Sequence, residues 1–369
     1  TEVIKGLLET QGFVWTDALE EADLVVINTC AIRENAENKV FGELGRLKSY
    51  KRINPNMIIA VAGCMPQEEA TVERILKKYR HVDLVFGTHN INKLVEYLDY
   101  VMKEKKQLIE VYSQEGEIVE ALPQIRDHKF KAWVNIMFGC DEFCTYCIVP
   151  YTRGKERSRK KEYIIEEVKE LVKQGYKEVT LLGQNVNSYG LDFIDEKYNF
   201  ADLLAELAKL DIPRIKFTTS HPKDFSDDLI DVIAKFPNIM PFIHLPVQSG
   251  SNKVLKKMNR KYTKEEYLDL VNRIYDKIPG VSLTTDIIVG FPSETHEDFL
   301  ETMDLVEKSR FEGAYTFVFS PRKGTPAAEY ENNIDPAEAK NRLYELNKLV
   351  NESYLRGNKR FENQVVKVL

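Results

Sequence analysis

The apolar positions of the first hundred residues change spacing several times. Val3, Ile4, Leu7 and Leu8 recur three and four apart, which predicts an amphipathic helix over residues 1–10. A short apolar stretch follows at 13–15, and a β-branched run at 24–28 (LVVIN) then has the length and composition of a buried strand. Helical spacing at about 34–48 and 68–79 alternates with strand-like runs at 57–62 and 84–87. Such alternation predicts an open, largely parallel α/β sheet of Rossmann or flavodoxin type. Sheets of this kind normally open with a strand, so the helix at residue 1 leads us to expect a further strand upstream of Thr1.

Residues 103–127 are charged, weakly periodic and include Pro123, and they read as a linker with room for a hairpin. A second series then begins. Its strands are predicted at 132–138, 178–182, 214–218, 242–245, 282–289 and 314–319, with helices near 163–174, 201–210, 226–235, 264–276 and 297–308. A long helix is expected over 336–359. Six strand–helix units suit a partial (β/α)6 barrel, because a full eight-unit barrel needs more chain. The final stretch, 363–369 (NQVVKVL), reads as one strand with nothing to pair with, and a lone strand is not a stable unit. The expected division is a parallel-sheet domain at 1–105, a linker at 106–127, the partial barrel at 128–360, and at 361–369 the start of a module that is largely absent.

Composition changes this picture little: 43% of the 369 residues are hydrophobic and 30% charged, as in ordinary globular chains. No apolar run approaches the roughly 18–20 residues of a membrane helix, and no signal-peptide pattern opens the chain, so the expectation is a cytoplasmic protein. A net charge of −6 means that any contact with a polyanion must come from a local basic patch. Arg153, Lys155, Arg157, Arg159, Lys160 and Lys161 form such a run, opposed only by Glu156. It reads either as a solvated surface or as a set of phosphate contacts.

The five cysteines are odd in number and argue against a disulfide framework. Cys140, Cys144 and Cys147 (C-x3-C-x2-C) directly follow the first barrel strand, at the barrel end where active sites sit. Three thiolates can hold three irons of a 4Fe–4S cluster and leave the fourth iron open to a chelating ligand. The same residues could instead hold zinc, with His221 or His244 as fourth ligand. Cys30 and Cys64 each end a predicted parallel strand, where ligands of open sheets bind; each also fits a small buried hydrophobe.

The segment GCDEFCTYCIVPYTRGKERSR, including Tyr146, resembles the signature of the radical S-adenosylmethionine superfamily. The resemblance implies that the amino and carboxylate groups of S-adenosylmethionine chelate the open iron. Cleavage of the sulfonium by a cluster electron then gives a 5′-deoxyadenosyl radical. It also places Gly183, Gln184 and Asn185 near the cofactor's amino group. Ser220, the stretch Gln248-Ser249-Gly250-Ser251, and Asp286 to Gly290 with Phe291-Pro292 then line the cofactor pocket. Each of these equally suits a turn at a strand end.

Residues 28–48 (NTCAIRENAENKVFGELGRLK) and Gly63-Cys64-Met65-Pro66-Gln67, taken with the barrel signature, resemble the methylthiotransferases. This implies a second 4Fe–4S cluster on three N-terminal cysteines: Cys30, Cys64 and one upstream of Thr1. It also implies a C-terminal RNA-binding β-barrel, the TRAM module, beginning at 361–369. Three segments resemble the branch acting on N6-isopentenyladenosine beside the tRNA anticodon: Ala31-Ile32-Arg33-Glu34-Asn35-Ala36-Glu37, Tyr151-Thr152-Arg153-Gly154 and Ser320-Pro321-Arg322-Lys323-Gly324-Thr325-Pro326. The implied product is the 2-methylthio derivative, with one S-adenosylmethionine as methyl donor and another as radical source. Other branches act on N6-threonylcarbamoyladenosine of tRNA or on an aspartate of a ribosomal protein, and a non-catalytic zinc-containing RNA-binding protein is the alternative from another class. Implied partners are the tRNA anticodon loop, an electron donor such as flavodoxin or ferredoxin, and a sulfur source, for a protein acting as a monomer. Arg153, Lys155, Arg157 and Arg159 would contact phosphates, while Arg33 and Glu34 would reach the substrate or cap their helix.

Overall fold

The computed structural model describes residues 1–31, 34–112, 116, 118–366 and 368–369. Arg33 and the side chain of Glu34 lie outside them. The chain divides into two compact units, Thr1–Asp127 with Ile148–Lys155, and His128–Cys147 with Glu156–Leu369.

The first unit is built on four parallel strands, β1 Leu24–Thr29, β2 Ile58–Gly63, β3 Leu84–Phe86 and β4 Leu108–Glu110, in that spatial order. β2 is almost continuously apolar because both its faces are covered. Ile59 and Val61 pack with Phe41, Leu44, Leu47 and Ile75 of helices Glu34–Ile53 and Glu69–Lys78. Ala60 and Ala62 face Ile4, Leu7, Leu94, Leu98 and Val101 of helices Glu2–Glu9 and Leu94–Glu104. The range read as a linker contains β4, paired in parallel with β3 and not folded as a hairpin. Its three half-buried residues carry little periodic signal, and distant groups hold it: Leu108 N–H donates to the Asp83 carbonyl, and Asn90 Nδ2 to that of Glu110. The apolar stretch at 13–15 forms no strand; Val14 and Trp15 are exposed.

In the second unit β5 Lys131–Asn135 is followed by β6 Met137–Phe138, which pairs antiparallel with β7 Arg157–Ser158. The predicted strand at 132–138 is thus split at Ile136, whose carbonyl accepts from Arg159 N–H. β8 Glu178–Leu182 and β9 Arg214–Phe217 continue from β5, while β10 Phe242–His244, β11 Ser282–Val289 and β12 Gly313–Val318 form a second parallel run. Ile215 N–H donates to the Asn238 carbonyl, and Met240 N–H to that of Ile215, joining the two runs beside β9. The outcome is the partial six-stranded barrel expected from the pattern, with strands in sequence order. Five helices, Lys161–Lys173, Phe200–Leu207, Asp227–Lys235, Lys264–Lys277 and His296–Ser309, and the long helix Pro336–Asn358 bury Leu, Ile and Val against the outer strand faces. Among the described residues of 363–369 no strand forms; an exposed tail offers no ladder to join. No helix among the described residues is long and apolar enough to cross a membrane.

One buried network locks the exit of β10 to the barrel wall. Asp298 caps helix His296–Ser309 and accepts from Ser251 Oγ at 2.7 Å and Lys253 Nζ at 2.8 Å. Burial pushes its carboxyl up, but Lys253, the Thr295 N–H and Ser251 outweigh burial and bring it down to about 2. A carboxylate depressed on folding stabilises fully above its unfolded pKa, and that stability drains away as pH falls through the folded value. The parent protein is therefore expected to lose about 2 kcal/mol between roughly pH 4 and 2 that Asp298→Asn does not lose, measured by denaturant titration across that range. Parallel pH profiles for the two proteins would refute this assignment.

Candidate active site

The loop 139–147 leaves the barrel between β6 and β7 and carries Cys140, Cys144 and Cys147. Cys144 is buried, while Cys140 and Cys147 are partly exposed. Phe143 adopts φ +45°, a left-handed conformation that must be held from outside. Segment 257–259 is one of the distant segments that hold the loop. Thr145 N–H donates to the Met258 carbonyl and Thr145 Oγ1 to that of Lys257; Asn259 Nδ2 donates to the carbonyls of Glu142 and Phe143. Arg260 Nη1 lies 3.5 Å from Cys144 Sγ. Gly139 N–H donates to Gln184 Oε1 at 2.6 Å, tying the start of the loop to the exit of β8.

Burial pushes the Cys140 thiol up to about 12; the Glu142 backbone N–H offsets this in part, and Glu156, Cys147 and Cys144 add to it. A thiol so placed keeps its proton until a metal takes the proton's place. The donor set of three soft thiolates suits an iron–sulfur cluster. A single tetrahedral zinc, with Zn–S near 2.3 Å, would instead need thiolates roughly 3.8 Å apart. Among the described residues the group of His, Cys, Asp or Glu ligand atoms lying within 4.8 Å of one another is Glu142, His221 and Asp224, and the three thiols do not form one. Of the histidines considered as a fourth ligand, His244 is hydrogen-bonded elsewhere, while His221 faces a carboxylate beyond hydrogen-bond reach. His221 Nε2 lies 3.8 Å from Glu142 Oε2, and His244 sits between Thr284 Oγ1 at 3.0 Å and Asp286 Oδ1 at 3.5 Å.

Of the other residues singled out from the sequence, Gly183, Gln184 and Asn185 are tied to this loop or to β6. Gly183 has no room for a side chain, since a Cβ would fall 2.6 Å from Met137 Cγ. Asn185 Nδ2 donates to Asp224, and Lys223 pairs with Glu142 at 2.5 Å. Four buried polar atoms here have no hydrogen-bond partner in the chain: Asn185 Oδ1, Ser220 Oγ, His221 Nε2 and Glu142 Oε2. Buried polar atoms are normally satisfied, so these four at the strand exits fit the polar groups of a bound cofactor. Gln248 is buried at φ +72°, with its N–H on the Asp286 carbonyl and its own carbonyl accepting from Ile288. The Asp286 carboxylate faces His244 across the parallel register of β10 and β11.

In the first unit Thr29 and Gly63 are register partners, so Cys30 and Cys64 leave adjacent parallel strands at equivalent points. Cys30 is exposed and Cys64 buried beside Ala31, Met65 and Ile148. Gly63 has φ +99°, and a Cβ there would fall 2.4 Å from the Thr29 carbonyl oxygen. Gly63→Ala is expected to cost about 1–3 kcal/mol, seen as a lower denaturant midpoint; an unchanged midpoint would contradict the tight packing between the two cysteines.

Residues 134–306 match the Radical SAM superfamily model, and residues 1–87 match Uncharacterized protein family UPF0004. A tRNA-2-methylthio-N(6)-dimethylallyladenosine synthase of Oceanobacillus iheyensis is 58% identical over 369 residues, all of this chain and 71% of that protein. The synthase of the same name from Bacillus subtilis (strain 168) is 57% identical over 369 residues, covering 72% of its length. The chain belongs to this synthase family. In fold it is also similar to the radical S-adenosylmethionine methyltransferase TsrM from Kitasatospora setae, solved with tryptophan and an S-adenosylmethionine analogue. The TM-score is 0.68 at 15% identity, over 89% of this chain and 71% of that one.

Within this synthase-family chain the basic run is divided between the two units. Arg153 and Lys155 fold with the first unit, Arg157 and Arg159 with the second. Arg159 is removed from the phosphate contacts, because it is buried with Nη1 at 2.8 Å from Glu167 and 2.6 Å from the Asn135 carbonyl. Lys161 pairs with Glu196 and lies over the Tyr198 ring. Lys155 is exposed, and Arg153 and Arg157 are half-buried. Sequence reasoning missed Asn259 and Arg260, which grip the cysteine loop from more than a hundred residues away.

Proposed function

We propose that this chain is a radical S-adenosylmethionine methylthiotransferase that converts N6-isopentenyladenosine, the dimethylallyl nucleoside of its relatives' names, to its 2-methylthio derivative beside the tRNA anticodon. The observation that carries this reading is the 58% identity to such a synthase across the whole chain. Cys140, Cys144 and Cys147 would hold a 4Fe–4S cluster with one iron open. With S-adenosylmethionine bound, that cluster supplies the radical chemistry that an unactivated aromatic carbon requires.

The chain's own residues bind and orient. Asn185, Ser220, His221 and Glu142 offer their unpaired polar atoms to the cofactor, and Gly183 leaves room for the Met137 side chain beneath it. Gln184 holds the start of the cysteine loop, and Tyr146 packs with Met258 and Phe291 below it. Gln248 and Asp286 would also line the cofactor. Cys30 and Cys64 are assigned to a second cluster. They would supply two of the three thiolates that the resemblance calls for.

The partner is tRNA, since an anticodon loop presents splayed, unstacked bases. Arg153, Lys155 and Arg157 are its proposed phosphate contacts. A flavodoxin or ferredoxin would supply electrons and a separate donor the sulfur, to a monomer working in the cytoplasm. The first unit would serve sulfur insertion and the barrel radical generation. Anaerobic incubation of iron-loaded full-length protein with S-adenosylmethionine, a reductant and tRNA bearing N6-isopentenyladenosine tests this. The methylthio nucleoside should appear in its digest. Product only from threonylcarbamoyl-bearing tRNA, or only on a ribosomal protein, would reject the substrate assignment.

A further inference from the structure

Arg260 makes a contact that the cysteine ligation alone does not explain. Its guanidinium is buried, and each nitrogen has a separate partner. Nε donates to Tyr262 Oη at 2.7 Å, Nη2 to the Pro246 carbonyl at 2.7 Å, and Nη1 to Cys144 Sγ at 3.5 Å. Tyr262 Oη in turn donates to the Val247 carbonyl at 2.9 Å. The cation is therefore fixed against the exit of β10 with Nη1 pointing at a sulfur. The neighbouring Asn259, at φ +59°, spends its amide on two loop carbonyls. Residues 259 and 260 thus divide two tasks: one holds the loop, and the other places a charge beside its central thiolate.

Reduction of a cluster adds negative charge to the iron–sulfur core and its thiolates. A buried positive charge that hydrogen-bonds a ligand sulfur favours the reduced state. We infer that Arg260 is a positioning residue that raises the reduction potential of the barrel cluster through Cys144. This rests on the reading of the three cysteines as cluster ligands. It makes the cluster easier to reduce by one electron from a donor protein, and it works by charge and hydrogen bonding, not by touching the substrate.

The test uses full-length, anaerobically iron-loaded protein in a Cys30→Ser, Cys64→Ser background, so that only the barrel cluster titrates. Its midpoint is followed by electron paramagnetic resonance of the reduced cluster during titration with dithionite. Arg260→Met should lower the one-electron equilibrium constant about tenfold, a fall of ~59 mV. Arg260→Gln, which keeps N–H donors without charge, should fall less, and Arg260→Lys should stay near the parent. Asn259→Ala should lower iron content while the loaded fraction titrates at the parent midpoint. A parent midpoint in iron-loaded Arg260→Met or Arg260→Gln overturns the inference. So does loss of iron in both neutral variants with retention in Arg260→Lys, which would leave Arg260 a structural role only. Zinc in place of iron in the parent would instead reject the ligand reading itself.

Discussion

Cys144→Ser is expected to abolish methylthio product formation and to remove the iron that belongs to the barrel, while the protein stays folded. Cys144 is the central thiol of the three and the one most buried in the loop. The loop it sits in is anchored through Thr145, Glu142 and Phe143 to residues 257–259, and those bonds do not pass through the thiol. A hard hydroxyl in place of a soft thiolate is a poor iron ligand. The expected result is loss of activity below detection with a far-ultraviolet circular dichroism spectrum like the parent's. Undiminished product from an iron-depleted barrel would contradict the assignment.

The second large effect falls on stability. Glu294 and Arg342 are both buried, with Nη1 at 2.7 Å from Oε1. Glu294 Oε1 also accepts from the Gly290 N–H, and Arg342 also donates to the Glu294 carbonyl. The pair therefore fastens the exit of β11 to the helix Pro336–Asn358 that packs against β11 and β12. Removing one partner leaves a buried charge uncompensated, at about 3–5 kcal/mol, whereas replacing both by apolar groups of similar volume is far milder. Arg342→Ala should lose about that much in denaturant titrations, and Glu294→Met/Arg342→Leu should recover most of it. A loss within about 1 kcal/mol for the single variant would show that water reaches the pair.

Much of this architecture was legible because the relevant signals are local. The strands at 24–28 and 178–182 are largely apolar runs, and 282–289 alternates in burial with period two, signals that need no tertiary context. The matched position of Cys30 and Cys64 follows from where two such runs end. The parts that could not be read depend on partners distant in sequence. β4 has three half-buried residues and takes its place from Asp83 and Asn90. The helix Leu94–Glu104 follows β3 through a kinked turn at 88–93, with no capping side chain to announce it. Arg159 shared the basic character of its neighbours, yet Glu167 and the Asn135 carbonyl draw it inside. Nothing near Asn259-Arg260 marks their role; the loop they grip lies more than a hundred residues earlier.

The most direct test of the central claim is nucleoside mass spectrometry on tRNA from cells lacking this gene, with and without the full-length gene restored. The account predicts that N6-isopentenyladenosine accumulates in the deletion strain and that its 2-methylthio form returns on complementation, but not with Cys144→Ser. A deletion strain with normal 2-methylthio-N6-isopentenyladenosine, or a response confined to the threonylcarbamoyl nucleoside, would contradict it.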